Sequence, residues 1–211
     1  MKIRTLLTLV AALPGLAVAG AQAPRPKPAL TDVAAFNETA PDVYRALFVT
    51  SVGSFAVRVT RAWSPHAADR FYNLVKNGFY DDCRFFRVVP KFMAQFGIHG
   101  DPAVSAAWKE ATLPAERARV SNTRGRLTFA QGVLASSRTT QVFISYGDNS
   151  QFDKDGFAPF GEVVSSMLIV ERIYGEYGEG AEQSAIQAGG NSFLNQYLPR
   201  LSYITSAIVE K

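Results

Sequence analysis

Eight short segments rich in β-branched and aromatic residues are spread along the chain, and turn-forming residues separate them. Segments of this length and composition are typical of β-strands. They cover residues 44–50, 55–60, 84–89, 92–96, 126–130, 141–145, 157–163 and 201–209. Because so many short strands need partners on both edges, the pattern predicts a mostly β fold, with an antiparallel sheet closed on itself.

Two further segments have the pattern of an amphipathic α-helix. The first begins at Ser64, an N-cap residue followed by proline, and ends at Gly78. The second covers residues 166–174. We expect these two helices to cover the open ends of the sheet. The polar stretches 99–122 and 175–195 are predicted to be surface loops.

The N-terminus has the three parts of a secretory signal peptide. The basic residues Lys2 and Arg4 precede an apolar run at 6–18, and small residues follow it. We predict residues 1–21 to be the signal peptide, with cleavage within 19–23, and the protein to be exported to the periplasm or secreted. An uncleaved membrane anchor is the alternative, since the apolar part is nearly long enough to span a bilayer. The Pro-Gly pair in its middle argues against an anchor.

The rest of the chain is long enough for one well-buried domain. We predict a Pro-rich linker and N-terminal extension at 22–42 and a single domain at 43–211. Loss of Lys2 and Arg4 with the signal peptide reduces the 22 basic residues to 20, against 18 acidic ones. This small excess does not favour nucleic acid as a partner. We expect a monomer with no stable membrane insertion after cleavage.

An arginine lies inside one of the most apolar predicted strands. Alternation along that strand places Phe86 and Val88 on one face and Arg87 on the other. Pro90 interrupts the strand and predicts a bulge, after which Met93 and Gln95 share the face of Arg87. A core strand whose arginine pairs with a carboxylate elsewhere is the alternative interpretation.

The sequence FFRVVPKFMAQFG in this region resembles the signature of the cyclophilin family. The resemblance continues in SPHAADRFYNLVKNGFYDD, GRLTFAQ, TTQVFIS and SQFDKDGFAPFGEVVSSM, and it is greatest to bacterial members with the sequence QFGIHG. It implies a closed, eight-stranded, cyclophilin-like β-barrel capped by two α-helices. It also implies peptidyl-prolyl cis-trans isomerase activity on proline-containing peptides and unfolded client proteins, without a cofactor or a metal.

The same resemblance implies the residues of the site. Arg87 matches the catalytic arginine of the family. The residues that match its substrate-binding positions are Phe92, Met93, Gln95, Ala130, Gln131, Gln141, Phe143, Phe152 and Phe157. Their apolar side chains correspond to the walls of a proline pocket, and Gln95 and Gln141 to groups that hold the substrate backbone. Ala130 and Gln131 correspond to a neighbouring groove.

The chain departs from the family pattern at two places near this site. Phe157 lies where many members have histidine, so we expect a purely apolar wall there. The segment between Ala130 and Gln141 is one residue longer than the common pattern, so its substrate contacts do not transfer directly.

Other chemistries find little support in the sequence. A Ser-His-Asp hydrolase would need His66 or His99, which fall in the first turn of a predicted helix and in a glycine-containing loop. Two histidines and the single Cys83 give no zinc-ligand spacing. The remaining alternative is a proline-recognising binding or chaperone module of the same fold. Retention of Arg87 argues for catalysis, because a cation is not needed to bind a proline ring.

Overall fold

Eight strands form one antiparallel sheet in the computed structural model, which describes residues 27–210. They are β1 (Val43–Thr50), β2 (Gly53–Thr60), β3 (Arg87–Val89), β4 (Met93–Phe96), β5 (Arg126–Phe129), β6 (Val142–Ser145), β7 (Pro159–Val163) and β8 (Ile204–Val209). Their order across the sheet is β3-β4-β6-β5-β7-β2-β1-β8. Each predicted strand segment overlaps one of these strands. The predicted signal peptide lies outside the described residues.

The prediction of a closed barrel is wrong, because the sheet is curled but open between β3 and β8. A single isolated bridge, Arg84 to Tyr203, joins the segments that precede these two strands. Beside β3 itself, the backbone N–H of Val88 donates to the carbonyl of Gly178 at 3.2 Å. A loop after β7 therefore occupies the edge of β3 that a closed barrel would pair with β8.

The helical content also differs from the prediction of two capping helices. The α-helices are α1 (Pro65–Lys76), α2 (Pro102–Trp108), α3 (Met167–Val170) and α4 (Gln183–Tyr197). The first predicted helix is confirmed as α1, whereas the second is reduced to the four residues of α3. The stretches 99–122 and 175–195, predicted to be loops, contain α2 and α4. Within residues 27–210, no helix is long and apolar enough to cross a membrane.

The main hydrophobic core lies between the concave face of the sheet and α1 and is strongly aromatic. Phe71 of α1 packs against Phe160 of β7 with ring centroids 4.9 Å apart, and Phe48 of β1 stacks on Phe55 of β2 at 5.2 Å. These four rings are almost completely buried. Packed aromatic pairs of this kind add to the stabilisation from burial alone.

A second, smaller apolar cluster holds α4 against the sheet. Phe86, Ile98, Ile186 and Leu194 are its most deeply buried members. Phe86 was predicted to share a face with Val88, but Val88 lies in the main core instead. Regular strand pairing begins only at Arg87, so the alternation does not extend back to Phe86.

The segment before β1 packs on the domain from Leu30 onward. The ring of Phe36 meets Trp108 of α2 edge-on at 5.0 Å, and Nε1 of Trp108 donates to the carbonyl of Leu30 at 2.7 Å. Trp108 is almost completely buried by these contacts. Part of the predicted linker and extension thus covers one end of α2.

Candidate active site

Strand register places the polar residues of the site on the face of the sheet opposite the main core. Arg87 of β3 lies opposite Gln95 of β4, which in turn lies opposite Phe143 of β6. Directly opposed residues project to the same face of a sheet. The intervening residues Ala94 and Ile144 point into the core. The predicted common face of Arg87 and Gln95 is therefore confirmed.

The interruption at Pro90 is a turn between two strands, and the predicted bulge is wrong. Pro90, Lys91 and Phe92 connect β3 to β4, and Lys91 has the positive φ of 64° that a tight reversal needs. Val89 then pairs with Met93 across the hairpin. Proline suits this place because its missing N–H removes no ladder hydrogen bond.

A cleft of about 470 Å³ opens on this face, and all ten residues of the predicted site line it. They are Arg87, Phe92, Met93, Gln95, Ala130, Gln131, Gln141, Phe143, Phe152 and Phe157. The structure adds Gly132, Ser137, Thr139 and Gln183 to the lining. The volume falls in the usual range of small-molecule sites.

One end of the cleft is walled by four phenylalanines. Phe152 lies 5.8 Å from Phe92 and 5.3 Å from Phe157 between ring centroids, and Phe157 lies 6.0 Å from Phe143. Met93 closes the base and is almost completely buried. Phe157 contributes the apolar wall expected of it. A slot of this composition binds a small saturated ring by excluding water from it.

A hydrogen-bonded chain of side chains runs beside this aromatic wall. Nη1 of Arg87 donates to Oε1 of Gln95 at 3.2 Å, and Nε2 of Gln95 donates to Oε1 of Gln141 at 2.7 Å. Gln95 is only 4% exposed, so its amide orientation is fixed by these two partners. Gly97 allows β4 and β6 to approach, since a Cβ there would lie 2.5 Å from the carbonyl oxygen of Thr140.

Arg87 is held from three sides. Its guanidinium carbon lies 5.6 Å from the ring centre of Phe92, within the range of cation–π attraction. Its Nε donates to the carboxylate of Glu179 at 2.8 Å, and Nη2 contacts the same oxygen. The carboxylate partner of the alternative interpretation is thus present, but Arg87 also lines the cleft. Of the five guanidinium N–H groups, one on Nη1 and one on Nη2 are uncommitted among the described residues.

The side chain of Gln131 lines the cleft and is tied to the segment that carries Asp155. Its Nε2 donates to the carbonyl of Asp155 at 2.8 Å, whereas its Oε1 is buried without a hydrogen-bond partner among the described residues. The following loop is anchored by Arg138, whose side chain is fully buried and pairs with Glu116 at 3.2 Å. Gln131 and Arg138 thus tie this side of the cleft to the segments that carry Asp155 and Glu116.

Comparison with known proteins settles the family. The family model of the cyclophilin type peptidyl-prolyl cis-trans isomerases matches residues 46–187, which is more than half of the chain. The chain belongs to this family.

Individual relatives agree with that membership. The chain is 31% identical over 128 residues to a peptidyl-prolyl cis-trans isomerase of Acinetobacter baylyi, covering 59% of this chain and 68% of the relative. It is 27% identical over 168 residues to peptidyl-prolyl cis-trans isomerase B of Escherichia coli, covering 76% and 96%. The reaction of the family, cis-trans isomerisation of peptidyl-prolyl bonds, is therefore the activity of this cyclophilin.

A solved structure supports the fold. The cyclophilin type isomerase of Cryptosporidium parvum, determined in the presence of the dipeptide Ala-Pro, superposes with a TM-score of 0.58 at 17% identity. The match covers 79% of this chain and 99% of that one. The mostly β cyclophilin fold is therefore shared.

The histidines and the cysteine of this cyclophilin lie away from the cleft. His66 is part of the first turn of α1, and Nδ1 of His99 accepts from the backbone N–H of Asp101 at 2.9 Å. Burial lowers the pKa of His99. Cys83 is fully buried, and that burial raises the pKa of its thiol, so it serves as an apolar residue of the core. Within residues 27–210, no three His, Cys, Asp or Glu side chains are grouped as metal ligands.

Two residues near the cleft could not be found from the sequence. Gln183 and Glu179 belong to the stretch 175–195, which is predicted to be a surface loop. Glu179 is 92 positions from Arg87 in the chain, and its local sequence, glutamate between two glycines, has no pattern that indicates a partner.

Proposed function

We propose that Arg87 catalyses the isomerisation while the aromatic end of the cleft binds the proline ring. One observation supports this role above the others: a guanidinium with uncommitted N–H groups lines the same cleft as the phenylalanine walls. A substrate proline held against those walls places its ring nitrogen beside the cation.

The chemistry follows from the nature of the amide. Rotation costs roughly 18–20 kcal/mol because the nitrogen lone pair is delocalised into the carbonyl. A donor that binds this lone pair as the nitrogen becomes pyramidal stabilises the twisted state. The guanidinium of Arg87 is permanently charged and presents its donors in a fixed plane. In a cleft with apolar walls its hydrogen bond is stronger than in water.

The neighbouring polar groups hold the peptide on either side of the proline. Gln95 and Gln141 are linked at 2.7 Å and offer their remaining donor and acceptor sites to the substrate backbone. Ala130 and Gln131 also line the cleft, and in this proposal they contact the neighbouring part of the substrate chain. When the proline ring is bound and the peptide on either side of it is held in place, binding favours the twisted amide over either planar form.

The substrates we propose are X-Pro bonds in unfolded client proteins. The dipeptide in the C. parvum structure is Ala-Pro, a minimal substrate of this class. Val133 and Leu134, on the loop that follows Gln131, are strongly exposed next to the cleft and give an apolar segment of a client a surface to contact. This exposed apolar surface beside the cleft favours the binding of protein chains over the binding of isolated dipeptides. We further propose that the protein acts as a monomer.

We place the protein outside the cytoplasm, as a bacterial exported isomerase that assists folding there. The basic, apolar and small-residue parts of the first 23 residues support this location. The exported form should begin near Gly20 or Gln22, which N-terminal sequencing of the purified protein tests. A chain that begins with Met1 and is recovered from a membrane fraction would contradict export with cleavage.

Replacement of Arg87 tests the proposed mechanism. In Arg87→Ala, kcat/KM for a proline peptide should fall by about tenfold to a thousandfold, equivalent to about 1.4 to 4 kcal/mol of transition-state stabilisation. The affinity for a proline peptide should change little, because the phenylalanine walls remain. Arg45→Ala is the matched control, since Arg45 lies on β1 and forms a surface ion pair with Glu210, the residue after β8. A folded Arg87→Ala protein with normal turnover would refute this role.

A further inference from the structure

The loop that replaces the closing strand brings a carboxylate to Arg87. Residues 175–180 run along the free edge of β3, where Gly178 accepts from the N–H of Val88. From this edge Glu179 reaches Nε and Nη2 of Arg87, whereas Gln95 binds Nη1 from the opposite side. Arg87 is therefore clamped between two neighbours, and Glu179 does not line the cleft.

We propose that Glu179 is a positioning residue for the isomerase reaction, which fixes the guanidinium of Arg87 before substrate binds. The proposal rests on the catalytic role of Arg87. Arginine has several rotatable bonds, and an unclamped guanidinium must lose that freedom in each transition state. A carboxylate that accepts from the Nε edge leaves N–H groups on the two terminal nitrogens available to the substrate.

The loop is itself ordered by contacts away from the cleft. Arg200 stacks on Tyr174 at 4.7 Å and on Tyr177 at 5.7 Å, and the two tyrosines meet edge-on at 5.2 Å. Two successive turns, Gly178 to Gly175 and Gly180 to Tyr177, are closed by backbone hydrogen bonds. Glu179 is thus presented from a fixed backbone.

We expect the ion pair between Glu179 and Arg87 to increase the rate of isomerisation and to have little effect on folding stability. The Glu179 side chain is 63% exposed and that of Arg87 is 30% exposed, and exposed ion pairs contribute little to folding. Glu179→Ala should lower kcat by roughly two- to tenfold, the range that corresponds to immobilising one long side chain. KM and the melting temperature should stay near the wild-type values. Glu179→Gln should give a smaller fall in kcat, because its amide oxygen still accepts from Nε.

The experiment combines steady-state isomerisation with ¹H–¹⁵N spectra of the arginine Nε–H groups. The Arg87 signal, assigned by its loss in Arg87→Ala, should be sharp in the wild type and lost or shifted in Glu179→Ala. Glu176→Ala is the matched control, because Glu176 lies in the same loop but pairs with Arg200 and Tyr174. It should leave both the Arg87 signal and kcat unchanged.

Three outcomes would overturn the proposal. An unchanged kcat in Glu179→Ala would show that the ion pair has no role in turnover. A rise in kcat/KM would show that the carboxylate competes with the substrate for Arg87. An equal fall in Glu176→Ala would show that the whole loop acts structurally. Full activity of Arg87→Ala would instead refute the role of Arg87, while the Nε–H signal would still report whether the pair forms.

Discussion

At the scale of single residues, the site contains one cation, Arg87, in a cleft whose other walls are apolar side chains and glutamine amides. A lowering of the rotation barrier by about 6 to 8 kcal/mol is at the low end of enzymatic effects. One well-placed hydrogen-bond donor supplies about 2.7 to 4 kcal/mol of that. The rest must come from binding that favours the twisted amide. The linked amides of Gln95 and Gln141, and the ring slot formed by Phe92 and Phe152, are the groups available for this.

Local sequence was sufficient for residues whose position depends on alternation. Met93 and Gln95 could be placed on the face of Arg87 because a strand period of two needs only neighbouring residues. It failed at Phe86, where strand pairing has not yet begun. The role of Glu179 could not be predicted from local sequence, because its contact with Arg87 depends on how a loop that is distant in the chain packs against β3.

At the scale of elements, the polar stretch 99–122 has a structural role, because Glu116 within it contacts both α1 and the loop beside the cleft. Glu116 accepts from the backbone N–H groups of His66 and Ala67 in the first turn of α1, at 3.0 and 3.3 Å. It also accepts from Ser64, the residue that precedes the helix. The same carboxylate pairs with Arg138 from the loop beside the cleft. One side chain therefore caps a helix and holds the loop that carries the groove.

Glu116→Ala should destabilise the protein strongly. It leaves the fully buried guanidinium of Arg138 without its counter-charge, and breaking such a pair costs about 3 to 5 kcal/mol of unfolding free energy. Urea denaturation measures the change. Glu38→Ala is the matched control, since Glu38 pairs with Lys76 on the surface and should cost about 1 kcal/mol or less. Equal effects of the two substitutions would show that the buried pair is not a stabilising contact.

The helices show which local signals can be trusted. α1 was predicted from Ser64 and the first-turn proline, but the Ser64 side chain makes no capping hydrogen bond and Glu116 caps the helix instead. Asp101 and Pro102 give α2 the same local pattern, and there the Asp101 side chain does cap the helix. α4 contains adjacent glycines, which disfavour a helix. Gly190 has φ 56° and ψ −147°, and a Cβ there would lie 2.1 Å from the carbonyl oxygen of Gly100. The helix is kinked at Gly190 because α4 packs tightly on the start of α2, a tertiary cause that the sequence does not reveal.

At the scale of the whole molecule, the strands were predictable and the closure of the sheet was not. Each strand can be recognised from its own composition and from the turns that flank it. Pairing between β3 and β8, however, depends on whether β8 or another segment of the chain occupies the free edge of β3. The loop at 175–180 occupies that edge, and α4 follows it over a second apolar cluster. The added layer brings Glu179 to Arg87 and Gln183 to the cleft. The stretch 175–195, which was predicted to be a surface loop, therefore borders the site.

The most direct test is the rate of cis-trans exchange in a short X-Pro peptide with the purified wild-type protein, with and without a metal chelator. Uncatalysed exchange takes tens to hundreds of seconds. If a guanidinium and an aromatic slot perform the reaction, the protein will accelerate exchange at catalytic concentration, and the chelator will leave the rate unchanged. Exchange that stays at the uncatalysed rate, or catalysis that chelator abolishes, would contradict isomerisation by Arg87 and its cleft.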